Sequence, residues 1–233
     1  MSEEKIESLS QESRVIQPPK NEAAAIPDME TYERMYTRSV EDMEGFWAER
    51  AEDLLTFEKK WDTVLDYDFD EPRIEWFKGA KLNATVNCLD RHLENGRRNK
   101  AALIWQGEDD AQVKTYTYQT LYTEVCRFAN ALKKLGVKKG DRVSIYLPMV
   151  PELAIAMLAC ARIGAPHSIV FAGFSANALR DRINDCEAKV VIAGNGVNRA
   201  GRKIPLKPNA DEALKECPTV EQCIMVKSAD MDM

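Results

Sequence analysis

From residue 101 onward, apolar positions fall into short solid runs that alternate with stretches of helical period. Val143–Leu147, Ser168–Phe171, Val190–Ala193 and Gln222–Val226 are mostly apolar runs of strand length. Between them, Leu121, Val125, Phe128, Ala129 and Leu132 mark one face of a helix over 120–135, closed by Gly136. Pro151 opens a nearly all-apolar helix that runs to Ile163 and stops at Gly164. Ser175 is placed to cap a helix over 176–186, and a short helix is predicted over 209–216. Ala101–Trp105 and Lys114–Tyr118 read as two further strands around the turn-rich Gly107–Asp110. Strands that are solid rather than alternating, joined by helices, predict an α/β fold with a mostly parallel sheet flanked by helices on both faces.

The earlier part of the chain is patterned differently. Residues 1–28 carry prolines and many Glu, Gln and Ser without apolar periodicity, and read as a flexible tail. Tyr32, Met35, Tyr36, Val40, Met43, Phe46 and Trp47 then recur at helical spacing, with Ser39 and Asp42 resembling a helix start. A cluster of Phe57, Trp61, Tyr67, Phe69, Trp76 and Phe77 follows in a stretch of no clear period. Residues 29–100 are therefore read as a helical segment wrapping a larger body, and 101–233 as the first part of an α/β domain.

Composition narrows the partners. The 233 residues are 45% hydrophobic and 30% charged, enough for a packed core. A net charge of −6 without a basic stripe argues against nucleic acid. No window is apolar for the roughly 18 residues a spanning helix needs, and the N-terminus has no secretory h-region. Membranes are therefore not expected, and a cytoplasmic location is. The six cysteines lie singly, with no C-x-x-C and only His92 and His167 as histidines, so reduced thiols are expected rather than a metal site or disulfides.

No Walker loop, G-x-S-x-G or H-E-x-x-H is present. Gly194-Asn195-Gly196 follows a strand, but Arg199 stands where a dinucleotide fingerprint needs glycine. The loop offers instead Arg199-Ala200-Gly201-Arg202-Lys203. Guanidinium forks match phosphate oxygens, and loops past the carboxyl ends of parallel strands bind ligands, so this is a candidate phosphate clamp. The alternative is a solvated basic turn. Phe171-Ala172-Gly173-Phe174-Ser175 should lie on the same edge, as a strand-to-helix connection. Between Trp76 and His92, Thr85 or Asn87 could cap a helix, and Asp90, Arg91 and His92 could form a polar network; His92 as a base has no visible partner.

Several stretches together resemble the AMP-forming acetyl-CoA synthetases: Trp76–His92, Glu124–Leu132, Tyr146–Ala154, Ala159–Ser168 and Phe171–Ser175. The resemblance covers roughly residues 35–226. It implies a ligase that forms acetyl-adenylate and pyrophosphate from acetate and Mg-ATP, after which coenzyme A displaces AMP. It also implies that Arg199, Ala200, Gly201 and Arg202 lie at the nucleotide of coenzyme A. ATP, coenzyme A and acetate would be the small-molecule substrates. The Mg2+ ligands, the phosphate loop and the catalytic residues of that family have no counterpart in these 233 residues, so the chain is expected to be an N-terminal part, inactive alone. A propionyl-CoA or other short-chain synthetase, or a non-catalytic module binding coenzyme A or a nucleotide, remain alternatives, and the oligomeric state is open. One departure stands out: the family usually shows Asp after a Thr-Ala pair, where this chain has Ala193-Gly194-Asn195.

Overall fold

A computed structural model describes residues 24–232. Most of the expected tail, residues 1–23, lies outside them. The chain divides into two compact units, 1–53 and 54–233.

The first unit holds helix α1 (Met29–Glu41) and most of helix α2 (Met43–Leu54). Asp28, not Ser39, starts the first helix; its carboxylate accepts from the Thr31 amide at 2.8 Å. Ser39 lies inside α1 and donates to the Tyr36 carbonyl at 2.7 Å. Asp42 marks the break between the two helices and accepts from the Gly45 amide at 3.2 Å.

The second unit opens with strands β1 (Thr63–Asp68) and β2 (Arg73–Lys78), an antiparallel hairpin with Leu65 opposite Trp76 and Tyr67 opposite Ile74. The segment read as helical wrapping thus contains a β-hairpin. Its signal was alternation on a surface too aromatic on both faces to show a clean period. A π-helical turn, Val86–Asp90, leads into helix α3 (Arg91–Glu94). Neither Thr85 nor Asn87 caps it. The Thr85 hydroxyl donates to the Leu158 carbonyl at 3.0 Å, and the Asn87 carboxamide bonds both the amide and the carbonyl of Thr56, at 2.8 and 3.0 Å. Asp90 takes a two-pronged ion pair from Arg162. His92 is buried against the Tyr118 ring, centroids 4.7 Å apart, and burial lowers its pKa.

Strands β3 (Ala101–Gln106) and β4 (Val113–Thr117) form a second antiparallel pair, followed by helix α4 (Tyr118–Lys134). Then come β5 (Val143–Tyr146), helix α5 (Pro151–Ile163), β6 (His167–Ile169), helix α6 (Ala176–Asp185) and β7 (Val190–Gly194). A small hairpin, β8 (Gly196–Arg199) with β9 (Arg202–Pro205), precedes helix α7 (Lys207–Leu214) and strand β10 (Gln222–Val226). Strands β10, β7, β5 and β6 lie side by side in that order, all parallel.

Alternation along this sheet decides its two faces. Val143, Ile145, Val190 and Ile192 pack with Leu121, Val125 and Leu132 of α4 and Ile155, Ala159 and Cys160 of α5. Tyr146, Val191 and Ala193 pack with Leu179 and Ile183 of α6 and Ala210 and Ala213 of α7 on the other face. The expected parallel sheet between helices is thereby realised, and each fully buried aliphatic side chain contributes roughly 1.5–3 kcal/mol. Strand β5 is central. One connection leaves it toward β6, and the next crosses back to β7 and on to β10. The strand order reverses between β5 and β7, and at such a reversal the loops past the carboxyl ends part to form a crevice.

Candidate functional site

A cleft of about 880 Å³ lies at that edge. Four strand ends feed it: Pro148–Val150 after β5, Phe171–Gly173 after β6, Val197–Arg199 after β7 and Lys227–Asp230 after β10, with the β3–β4 connection as a fifth wall. Its walls are fixed by polar contacts from the sheet. The Tyr146 hydroxyl lies 3.0 and 2.9 Å from the carbonyls of Ala172 and Phe174 and so holds the loop past β6. The Trp105 indole donates to the Met149 carbonyl at 2.7 Å and ties the β3–β4 pair to the loop past β5. Phe171 and Phe174 meet edge to face at 5.7 Å, and the Arg182 guanidinium stacks 4.5 Å over Phe174. Ser175 caps α6, its hydroxyl accepting from the Ala178 amide at 3.4 Å.

Gly194, at the end of β7, lets these walls come close. A Cβ there would sit 2.6 Å from the Ser228 hydroxyl and 3.1 Å from Pro148 Cδ.

The Arg199–Arg202 segment is a hairpin tip rather than an open loop. Arg199 pairs with Arg202 across the β8–β9 ladder. Between them Ala200 and Gly201 take φ of 51° and 70°, both left-handed, which is the tight turn that matches the twist of a two-stranded ribbon. The two arginines leave the same end of the hairpin, both exposed. Among the described residues neither guanidinium has a carboxylate partner. The Gly201 amide donates to the Glu108 carboxylate at 3.2 Å, so an anionic group already rests on the turn between the two arginines. Lys227 pairs with Asp230 at 3.6 Å, a contact water weakens because both side chains are well exposed.

Two family models match the chain: "AMP-binding enzyme" over residues 89–233 and "Acetyl-coenzyme A synthetase N-terminus" over 32–88. The chain belongs to the AMP-binding enzyme family. It is 53% identical over 211 residues to an acetyl-coenzyme A synthetase of Magnetococcus marinus, covering 91% of this chain and 33% of that one. With the acetyl-coenzyme A synthetase of Rubrobacter xylanophilus it shares 55% over 193 residues, 83% of this chain and 30% of the relative. The chain thus spans about a third of the length of the curated relatives it matches. Among solved structures it resembles the acetoacetyl-CoA synthetase from Streptomyces lividans, with a TM-score of 0.78 at 27% identity over 90% of this chain and 33% of that one.

Within this AMP-binding enzyme fold, the structure brings the Phe171–Gly173 loop and Arg199 into one cleft. His92 and the Asp90–Arg162 pair are not among the residues that line it. Sequence reasoning missed the other walls: Trp105 with Lys114, whose amine lies 5.5 Å over the Trp105 ring, Met149, and the Lys227–Asp230 segment. These are ordinary strand ends and turns whose importance comes from convergence. Asn195, marked in the sequence only as a departure from the family pattern, is buried behind this cleft. Among the described residues no three acidic, His or Cys side chains group to hold a metal ion, and no helix is long and apolar enough to cross a membrane.

Proposed function

We propose that the chain is the N-terminal part of an acetate–CoA ligase, and that it supplies one side of the coenzyme A site. Acetate, ATP and coenzyme A are the substrates of that reading; acetate is activated as acetyl-adenylate, and the coenzyme A thiol displaces AMP. The observation that carries it is the pair of guanidiniums at the β8–β9 tip, neither with a carboxylate partner among the described residues, with Arg199 lining the cleft where the strand order reverses. A phosphate oxygen approaching that tip would meet two forks and a turn amide, and each charge-assisted contact is worth about 1.5–3 kcal/mol. The similarity to acetyl-coenzyme A synthetases supports the acyl substrate. Arg199, Ala200, Gly201 and Arg202 are the binding residues of this proposal. Mg2+ would accompany ATP in the same reading.

The test uses variants of the longer enzyme. Arg199→Ala and Arg202→Ala should each weaken coenzyme A binding roughly ten- to hundredfold. Acetate-dependent ATP–pyrophosphate exchange, which needs no coenzyme A, should stay near its original rate. Arg→Lys should recover part of the loss, because an ammonium keeps the charge but not the fork. Exchange that falls as far as thioester formation would remove the assignment. Unchanged kinetics in both would return the tip to a solvated turn.

A further inference from the structure

The β8–β9 hairpin has little of its own to hold it in place. It has four paired positions, all of β9 is exposed, and two-stranded hairpins are marginal in water. The Lys203 amine donates to the Asp230 carbonyl at 2.8 Å and the Gly201 amide to Glu108 at 3.2 Å, both from exposed positions, and the buried anchors lie at its base. Asn195, about 1% exposed, sits between β7 and β8 and directs its hydrogen bonds chiefly to backbone, with the Ser228 hydroxyl 3.3 Å from its Oδ1. Its Nδ2 donates to the carbonyls of Ala229 at 3.0 Å and Met231 at 2.9 Å. Its Oδ1 accepts from the amides of Ser228 at 2.9 Å and Ala229 at 3.0 Å. Its own amide donates to the Val226 carbonyl at 3.0 Å, and its carbonyl accepts from the amides of Leu206 and Lys207 at 3.0 and 3.2 Å.

One residue therefore ties the end of β10, the loop past it and the exit of β9 to the start of β8. Ser228 completes the knot, its hydroxyl donating to the Gly196 carbonyl at 2.6 Å. Both strands of the hairpin are thus anchored at their base: β8 through Gly196 and Ser228, β9 through Leu206 and Asn195. The same knot joins two cleft walls that are separated in sequence by helix α7 and strand β10.

We propose that Asn195 is a positioning residue: its carboxamide sets the stance of the hairpin that presents Arg199 and Arg202, and does so by locking it to the 228–231 loop. The proposal rests on the reading of those arginines as a phosphate clamp. A carboxamide is suited to this place because one planar group supplies two donors and an acceptor with two lone pairs. A side chain cut back to a methyl group would leave the Ala229 and Met231 carbonyls and the Ser228 and Ala229 amides without these partners. A bland role is also open to Asn195, as a plug that satisfies buried backbone for the sheet as a whole, and the two roles separate experimentally.

The experiment compares Asn195→Ala, which removes all four side-chain hydrogen bonds, with the parent chain by amide hydrogen exchange and by titration with adenosine 3′,5′-bisphosphate, a small nucleotide carrying two phosphates. Positioning predicts exchange at least tenfold faster within 196–205, with β5 and β7 unchanged, and bisphosphate affinity lowered about tenfold. Arg199→Ala is the control that should lose affinity with no change in exchange. Should the alanine variant fail to fold, Asn195→Ser, polar and smaller, carries the same comparison. Faster exchange spread evenly over β5, β7 and the hairpin would overturn the proposal in favour of the plug, and so would an unchanged hairpin. If the parent chain does not bind the bisphosphate, the clamp reading fails; the exchange pattern still decides whether Asn195 holds the hairpin.

Discussion

The parallel sheet and the β8–β9 hairpin adjoin in sequence, yet they are built on opposite terms. Every residue of β5 and β7 is buried, and the sheet is held by side chains packed from both faces. The hairpin is exposed along β9 and at its tip, and it is held by hydrogen bonds: its own ladder, the buried Asn195 carboxamide, the Ser228 hydroxyl, and side-chain contacts from Lys203 to the Asp230 carbonyl and from Glu108 to the Gly201 amide. Packing makes the sheet stable and keeps the side chains of β5 and β7 from meeting a ligand. Exposure leaves the guanidiniums of the hairpin available, at the cost of needing an anchor. Burial and exposure are divided between two elements that meet at Gly194 and Asn195.

The division breaks most visibly if core damage reaches the hairpin differently from the sheet. Ile145→Ala removes a fully buried side chain from the central strand and should cost about 2–5 kcal/mol in urea unfolding. A loss below 1 kcal/mol would mean the sheet is not the stabilising body. Next in size is a pH effect confined to the core. Cys160 lies on the buried face of α5, and burial pushes its thiol up to about 12 from an ordinary value near 9. The folded state thus favours the neutral thiol. This contribution is whole below pH 9 and is lost as pH climbs toward 12. Unfolding midpoints measured from pH 8 to 11 should fall less steeply for Cys160→Ala than for the parent chain. Equal slopes would contradict the burial of that thiol.

Smaller effects belong to the hairpin. Ala200 holds a left-handed conformation that costs an ordinary residue roughly 1–2 kcal/mol, so Ala200→Gly should relieve part of it and slow exchange in β8 and β9. Faster exchange would show that the turn prefers its alanine. The smallest effect is expected at Glu108. Its carboxylate rests on the Gly201 amide and competes with any phosphate brought there, so Glu108→Gln should tighten bisphosphate binding about two- to threefold, or roughly 0.5 kcal/mol. Weaker binding would mean that Glu108 shapes the site instead of occupying it.

The sequence showed more of the sheet than of the hairpin. Runs such as Val190–Ala193 can be buried on both faces only between helices, so the parallel α/β architecture follows from apolar pattern alone. Helix ends were equally legible where a single residue carries the reason, as Pro151 and Ser175 do. The β1–β2 hairpin was not: its exposed Tyr67, Phe69 and Ile74 lack the one-sided burial that gives a strand its period. The start of α1 was misplaced at Ser39 because a capping residue type was present without the break that capping requires.

At the site, residue chemistry alone marked Arg199 and Arg202 as suited to phosphate, since a fork of donors needs no neighbour to be a fork. Ala200 and Gly201 could be placed with them but not given their turn, because nothing in Ala-Gly compels two left-handed residues until β8 and β9 pair. The depth of the cleft, the approach of the Lys227–Asp230 loop and the office of Asn195 were decided by tertiary structure. Strand order brought β7 beside both β5 and β10, and only there do an asparagine and a serine 33 residues apart share a set of hydrogen bonds. Local pattern determines which segments are buried; which of their ends meet depends on the order in which the strands are laid side by side.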